Sequence, residues 1–177
     1  TEAAKTVAYQ LCNGIEDAGE VLLLASDSNS EAAKERLAGF QEEIKSEHPN
    51  VQIVDTIYCD QMDDLKKEIA EQKNAAKKAE EPEITADDLS DEDVILYYME
   101  QHPNLKGMFG TNVTAVQLGL SALKEAEKTD DIVLTGFDAG EAQIEALKNG
   151  EIEGLAVQNP FGIGYASVVA AARSILQ

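Results

Sequence analysis

Residues 131–160 place the tightest constraint on how this chain can fold. A short apolar run, Ile132 to Phe137, stops at Asp138. A helical pattern follows, with Ala142, Ile144, Ala146 and Leu147 apolar and Gly150 as its stop. A second apolar run, Leu155 to Val157, ends at Gln158. Short apolar runs on either side of a helix-period stretch read as a β-α-β unit. Ligands of parallel α/β sheets bind outside the carboxyl ends of the strands. Asp138 and Gln158 fall on that edge.

The same alternation runs through the rest of the chain. Glu2 to Cys12 has helical spacing and is stopped by Asn13-Gly14. Val21 to Ala25 is a continuous apolar run, as expected of a strand buried on both faces. It ends in Ser26-Asp27-Ser28-Asn29-Ser30, where Ser30 suits the N-cap of a helix reaching about Glu47. That helix should bury Leu37, Phe40 and Ile44. Val51 to Tyr58 is the second strand and Leu105 to Gly110 the third, which stops at Thr111-Asn112. A helix from Met62 to about Ala79, a short one from Asp91 to Gln101 capped by Ser90, and one from Val113 to Lys128 lie between strands. A last helix is expected over Ile163 to Leu176. His-Pro-Asn occurs twice, at 48 and 102, each time between a helix and a strand. It reads as one joint used twice.

Five strand signals alternating with helices predict an α/β fold. The expected form is a doubly wound, mainly parallel five-stranded sheet with helices on both faces, in the flavodoxin-like order 2-1-3-4-5. Its 177 residues suit a single domain, 1–177. The helix before the first strand is extra to that minimum. Residues 60–100 differ from the rest, holding 14 of the 34 acidic residues. An acidic helical insertion at about 71–98, standing out from one edge, is the expectation.

Charge and composition remove several functions. A net charge of −20 argues against nucleic acid as a partner, because duplex affinity rests on Lys and Arg neutralising phosphates. No apolar run approaches the ~18 residues of a membrane span. Cys12 and Cys59 lack the local spacing of metal ligands and read as unpaired thiols. Asp87, Asp88, Asp91 and Asp93 lack the Gly and terminal Glu of an EF-hand loop. Gly162-Ile163-Gly164 begins a dinucleotide fingerprint, but Ser167 stands at its third glycine. Both histidines precede prolines at helix ends, on the edge opposite Asp138, so no Ser-His-Asp or Cys-His set assembles. No enzyme and no cofactor are expected. What the strand ends offer is hydrogen bonding: Ser26 to Ser30, Asn112, Asp138 and Gln158. Amides that donate and accept, beside a carboxylate that accepts from two hydroxyls, suit a neutral polyol.

Several segments resemble the type 1 periplasmic sugar-binding proteins, the ribose- and galactose-binding family, whose fold is shared with the effector domains of Lac-repressor-like regulators. They are N-S-E-A-A-K-E-R-L-A-G-F at 29–40, M-F-G-T-N-V-T-A-V at 108–116, G-F-D at 136–138 and Q-N-P at 158–160. The resemblance implies the C-terminal lobe of a hinged clamp, with an N-terminal lobe outside this chain and an ABC permease as partner. It implies a small-molecule carbohydrate as ligand. An extracellular or periplasmic location is implied, with a lipid anchor as one form of retention. Asn112, Asp138 and Gln158 match the family's sugar-contacting positions. Lys34 stands where an Arg often binds ligand, and it lacks the planar fork. The other readings are a regulator's effector lobe, which would be cytoplasmic, and the sensor half of a receptor. One lobe alone is expected to bind sugar weakly, because it supplies half of the contacts.

Overall fold

The computed structural model describes residues 1–158 and 166–170, with side chains placed through Val157. Its elements in chain order are α1 (Glu2–Gly14), β1 (Gly19–Ala25), α2 (Glu31–Glu47), β2 (Val51–Tyr58) and α3 (Met62–Ala76). There follow α4 (Asp91–Gln101), β3 (Leu105–Gly110), α5 (Val113–Glu125), β4 (Val133–Phe137), α6 (Glu141–Lys148), β5 (Gly154–Gln158) and β6 (Ala166–Ala170). Single 3₁₀ turns occupy Cys59–Gln61 and Ala86–Asp88.

The first five strands are parallel and ordered 2-1-3-4-5. β6 extends the sheet by pairing antiparallel to β5, with Leu155 opposite Val169 and Gln158 opposite Ala166. This corrects the expectation of a helix across 163–176 for its central part. The remainder of that range lies outside the described residues. β-branched Val168 and Val169 favour extended backbone, and β5 offers an edge row of backbone donors and acceptors that a returning strand can satisfy.

The central strand shows why a continuous apolar run was needed. Val21, Leu23 and Ala25 face one core, while Leu22 and Leu24 face the other, and all five are fully buried. Strand order reverses between β1 and β3. With right-handed crossovers, that reversal puts α2 on one face and α3 to α6 on the other. The first face would then be covered over β1 and β2 alone. α1 fills the remainder: Ala4, Val7, Ala8 and Leu11 are fully buried and pack with Leu37, Phe40, Phe109 and Phe137. The helix that looked extra in sequence therefore completes a layer.

Part of the acidic segment expected as an insertion at about 71–98 packs on the sheet. α4 buries Val94 and Ile95 completely in the core shared with Leu120 and Leu123, so residues from 91 onward cover the sheet. The connection at 77–90 is tied down by Asn74, whose side chain donates to Ile84 O (2.7 Å) and accepts from Ile84 N (2.8 Å). Ser90 caps α4 with Asp93 in a reciprocal capping box. The two His-Pro-Asn joints share one bonding pattern: Val51 N donates to His48 O and Leu105 N to His102 O, both at 3.0 Å.

Candidate functional site

At the carboxyl edge, four strand ends bring polar groups together. After β1, Asp27 Oδ1 accepts from the backbone N–H of Asn29 (2.9 Å) and Ser30 (2.5 Å), and Ser26 Oγ donates to its other oxygen (3.2 Å). These bonds, Ser30's N–H first and Asn29's next, hold the Asp27 carboxyl below the ordinary Asp range. The loop is thus a folded turn rather than a free string of hydroxyls. Asp60 braces it from the end of β2, accepting from the N–H (3.1 Å) and hydroxyl (2.7 Å) of Ser28.

After β3, buried Thr111 ties this loop to the sheet, its hydroxyl accepting from Ser26 N at 2.9 Å. Asn112 is the N-cap of α5. Its Oδ1 accepts from Ala115 N at 2.9 Å, which leaves the amide nitrogen as a donor at the edge. α5 can start so close to the sheet because Gly110 and Gly136 stand side by side in β3 and β4 under its first turn. A Cβ on Gly136 would enter Val116 and come within 2.7 Å of Gly110 O.

Asp138 follows β4 in the left-handed region, φ +64°, a conformation Asp tolerates better than most residues. Its N–H still continues the ladder to Ala156 O (2.7 Å). Its carboxylate meets Arg36. Nη1 of Arg36 donates to Asp138 Oδ2 at 2.9 Å and to the Thr111 carbonyl at 2.5 Å. The guanidinium lies over the Phe137 ring, 4.4 Å from its centroid. Phe137 in turn meets Phe109 edge-on, and Phe109 stacks on Phe40 at 4.1 Å. A buried cation on an aromatic floor therefore binds β3's end to β4's end and fixes one carboxylate oxygen of Asp138.

The structure brings Asp138 and Asn112 to adjacent strand ends. Gln158 ends β5 beside them in strand order, and its side chain lies outside the described residues. Lys34, in the first turn of α2, is half exposed and paired with Glu31 at 3.2 Å. Arg36, two positions on, does reach the strand ends, and it was not among the expected site residues. The signal was present: Ala33, Arg36, Leu37 and Phe40 form the i, i+3, i+4, i+7 stripe that α2 buries, and an Arg within such a stripe needs a buried partner.

Neither thiol is poised as a free nucleophile. Burial chiefly, with Asp17 and Glu43 next, pushes Cys12 up to about 12. Burial chiefly, with Asp91, Asp60 and Asp27 following, pushes Cys59 up to about 11. Both are free, and they lie in different cores on opposite faces of the sheet. No described helix is long and apolar enough to cross a membrane.

The family model described as Periplasmic binding protein domain matches residues 1–176. The chain belongs to that family. Solved structures share its fold. A carbohydrate transporter solute binding protein from Agrobacterium radiobacter, in complex with D-arabinose, aligns with TM-score 0.71 and 20% identity, covering 97% of this chain and 59% of its own. An arabinose binding protein from Geobacillus stearothermophilus aligns at 0.66 and 19% identity, covering 88% and 44%. An ABC transporter periplasmic solute binding protein from Actinobacillus succinogenes, with bound D-allose, aligns at 0.66 and 18% identity, covering 90% and 46%. The chain thus spans roughly half the length of these structural relatives. All three are described as binding proteins. A search of curated proteins gives no match.

Proposed function

We propose that this chain is the C-terminal lobe of a two-lobed solute-binding protein that captures a small sugar for an ABC transporter, outside the cytoplasm. The observation that carries the reading is the polar edge centred on Asp138, in a lobe-sized chain of the periplasmic binding protein family. One Asp138 oxygen is held by Arg36 while the carboxylate stays about one-third exposed. The remaining lone pairs can accept from two sugar hydroxyls, as charge-assisted bonds. Asn112 supplies a donor from a rigid cap. Gln158 adds an amide that donates and accepts, and Lys34 adds a flexible donor from α2. A second lobe would close over the sugar from the other side, in the hinged manner of such clamps. A permease would then accept the closed form.

Calorimetry with a panel of pentoses and hexoses, run on the protein carrying both lobes, tests this. One or a few sugars should bind, and Asp138→Asn, which keeps an acceptor for Arg36, should sharply weaken that binding while leaving the fold intact by circular dichroism. No heat from any sugar, or undiminished binding by the variant, would overturn the assignment. The two-lobe part has its own test: this chain by itself should bind the same sugar far more weakly, and millimolar or tighter affinity would contradict it.

A further inference from the structure

A second constellation lies at the opposite edge of the sheet, where the end of α1, the turn into β1 and the end of α2 meet. Cys12 is fully buried and His48 is 6% exposed. One donor atom from each of Cys12, Asp17 and His48 lies within 4.8 Å of the others. Asp17 is carried there by a turn in which both Glu16 and Asp17 are left-handed, and its N–H returns to Cys12 O at 2.7 Å. Its Oδ1 sits 2.7 Å from His48 Nδ1. With the imidazole proton on Nδ1 and donated to that carboxylate, Nε2 is free to offer its lone pair. Nε2 is buried and has no hydrogen-bond partner, and Glu43 Oε1 is 3.9 Å away.

An orphaned buried polar atom is costly and uncommon in native proteins. Here it sits beside a thiol and two carboxylates. An imidazole whose other nitrogen donates to a carboxylate is the arrangement that orients histidine ligands on metals. Thiol, imidazole and carboxylate together suit zinc and its neighbours rather than calcium or magnesium, which take oxygen donors. Tetrahedral Zn–S and Zn–N bonds of about 2.3 and 2.0–2.1 Å put donor atoms roughly 3.5 Å apart, to be set against the 4.8 Å within which one donor atom of each of Cys12, Asp17 and His48 falls.

We propose that Cys12, His48 and Asp17, with Glu43 beside them, form a binding site for a divalent cation of the zinc class. On binding, the Cys12 thiol releases its proton to solvent and Sγ becomes a ligand, with no change of oxidation state. His48 binds through Nε2. Asp17 orients the ring, and the two carboxylates offset the cation's charge. The ion would fasten the end of α1 to the end of α2, across the intervening strand β1, on the edge away from Asp138. The site therefore stands or falls independently of sugar binding.

Cobalt(II) is the direct probe, because a thiolate–cobalt bond gives a charge-transfer absorption that carboxylates alone cannot. The chain titrated with cobalt should show that band, and zinc should displace it. Cys59→Ser should keep the band and Cys12→Ser should lose it. Asp17→Asn, at a largely exposed position, should fold normally and weaken zinc retention against a chromophoric chelator by about 10–100-fold. Zinc should raise the melting temperature of the chain and a chelator should not. Absence of the band in the unaltered chain overturns the proposal. So does equal zinc retention by the unaltered chain and Asp17→Asn, which would mean that the acidic surface at large holds the metal. Both readouts remain decisive if Cys12→Ser fails to fold.

Discussion

Arg36 illustrates what a single buried charge commits a structure to. Its Nη1 serves the Asp138 carboxylate and the Thr111 carbonyl together, with the side chain 11% exposed. Removing it leaves an acceptor of each kind without its donor. Loss of one partner of a fully buried pair costs about 3–5 kcal/mol. Asp138 keeps partial solvent, so Arg36→Ala should cost ~2–4 kcal/mol, read as a lower urea midpoint at unchanged slope. Arg36→Lys retains charge but not the planar fork, and should recover only part of the loss. A change under ~0.5 kcal/mol for Arg36→Ala would mean that the pair contributes nothing net. Asp138 and Asn112 could be placed at strand ends from sequence because apolar runs stop there. Arg36 could not be weighted properly, since its partner is remote in sequence and only the folded sheet brings Phe137, Thr111 and Asp138 to α2.

Asp27 makes a prediction about pH at the same scale. Its folded pKa is lowered from the ordinary value of 3.8 by the N–H groups of Ser30 and Asn29. A depressed carboxylate contributes stability above its unfolded pKa, and that contribution is lost as pH falls through the folded value. The carboxyl carbon of Asp27, followed by NMR, should therefore titrate with a midpoint below 3.8. Asp27→Asn should flatten the acid limb of stability. A midpoint at or above the ordinary value would show that the Ser26–Ser30 turn is not formed in solution.

At the level of elements, α5 is seated by two features that act together. Asn112 caps it, and Gly110 with Gly136 admits its first turn to the sheet. Asn112→Ala should cost about 1 kcal/mol through the lost cap. Gly136→Ala should cost about 1–3 kcal/mol through overpacking against Val116 and the Gly110 carbonyl. Each kcal/mol should lower the melting temperature by about 2–4 °C. If Gly136→Ala melted with the unaltered chain, β3 and β4 would have to yield more freely than a close-packed sheet does. The five parallel strands and the caps at Ser30 and Ser90 were legible because their signals are local: a short apolar run, a hydroxyl before an acidic turn. β6 and α4 were less so. Whether Ala166–Ala170 extends or coils depends on the open edge of β5, and whether α4 is insertion or core depends on a sheet face that needs covering. Neither fact is written in those residues.

Across the whole molecule, the largest force left uncompensated is repulsion between like charges. Lys and Arg number 14 against 34 acidic residues, and the acidic ones crowd residues 60–100. Asp63, Asp64, Asp87, Glu92 and Asp93 decorate one side of the fold, and the described ion pairs there are few: Lys66 with Asp91 at 2.6 Å and Lys67 with Asp64 at 3.4 Å. Self-repulsion of this kind destabilises the compact state, and salt screens it. The Debye length falls from about 30 Å at 0.01 M to about 3 Å at 1 M, so repulsion between separated carboxylates should vanish before close pairs are broken. The Arg36–Asp138 pair, with its cation 11% exposed, should respond to salt less than the surface pairs do. Sodium chloride raised from about 0.01 to 0.5 M should therefore lift the melting temperature by several degrees, the equivalent of about 1–2 kcal/mol. Sodium sulfate at matched ionic strength should lift it further, through exclusion from the surface. If sodium chloride lowered the melting temperature instead, the surface pairs would outweigh the net repulsion, and the acidic face would have to be regarded as a bonded network.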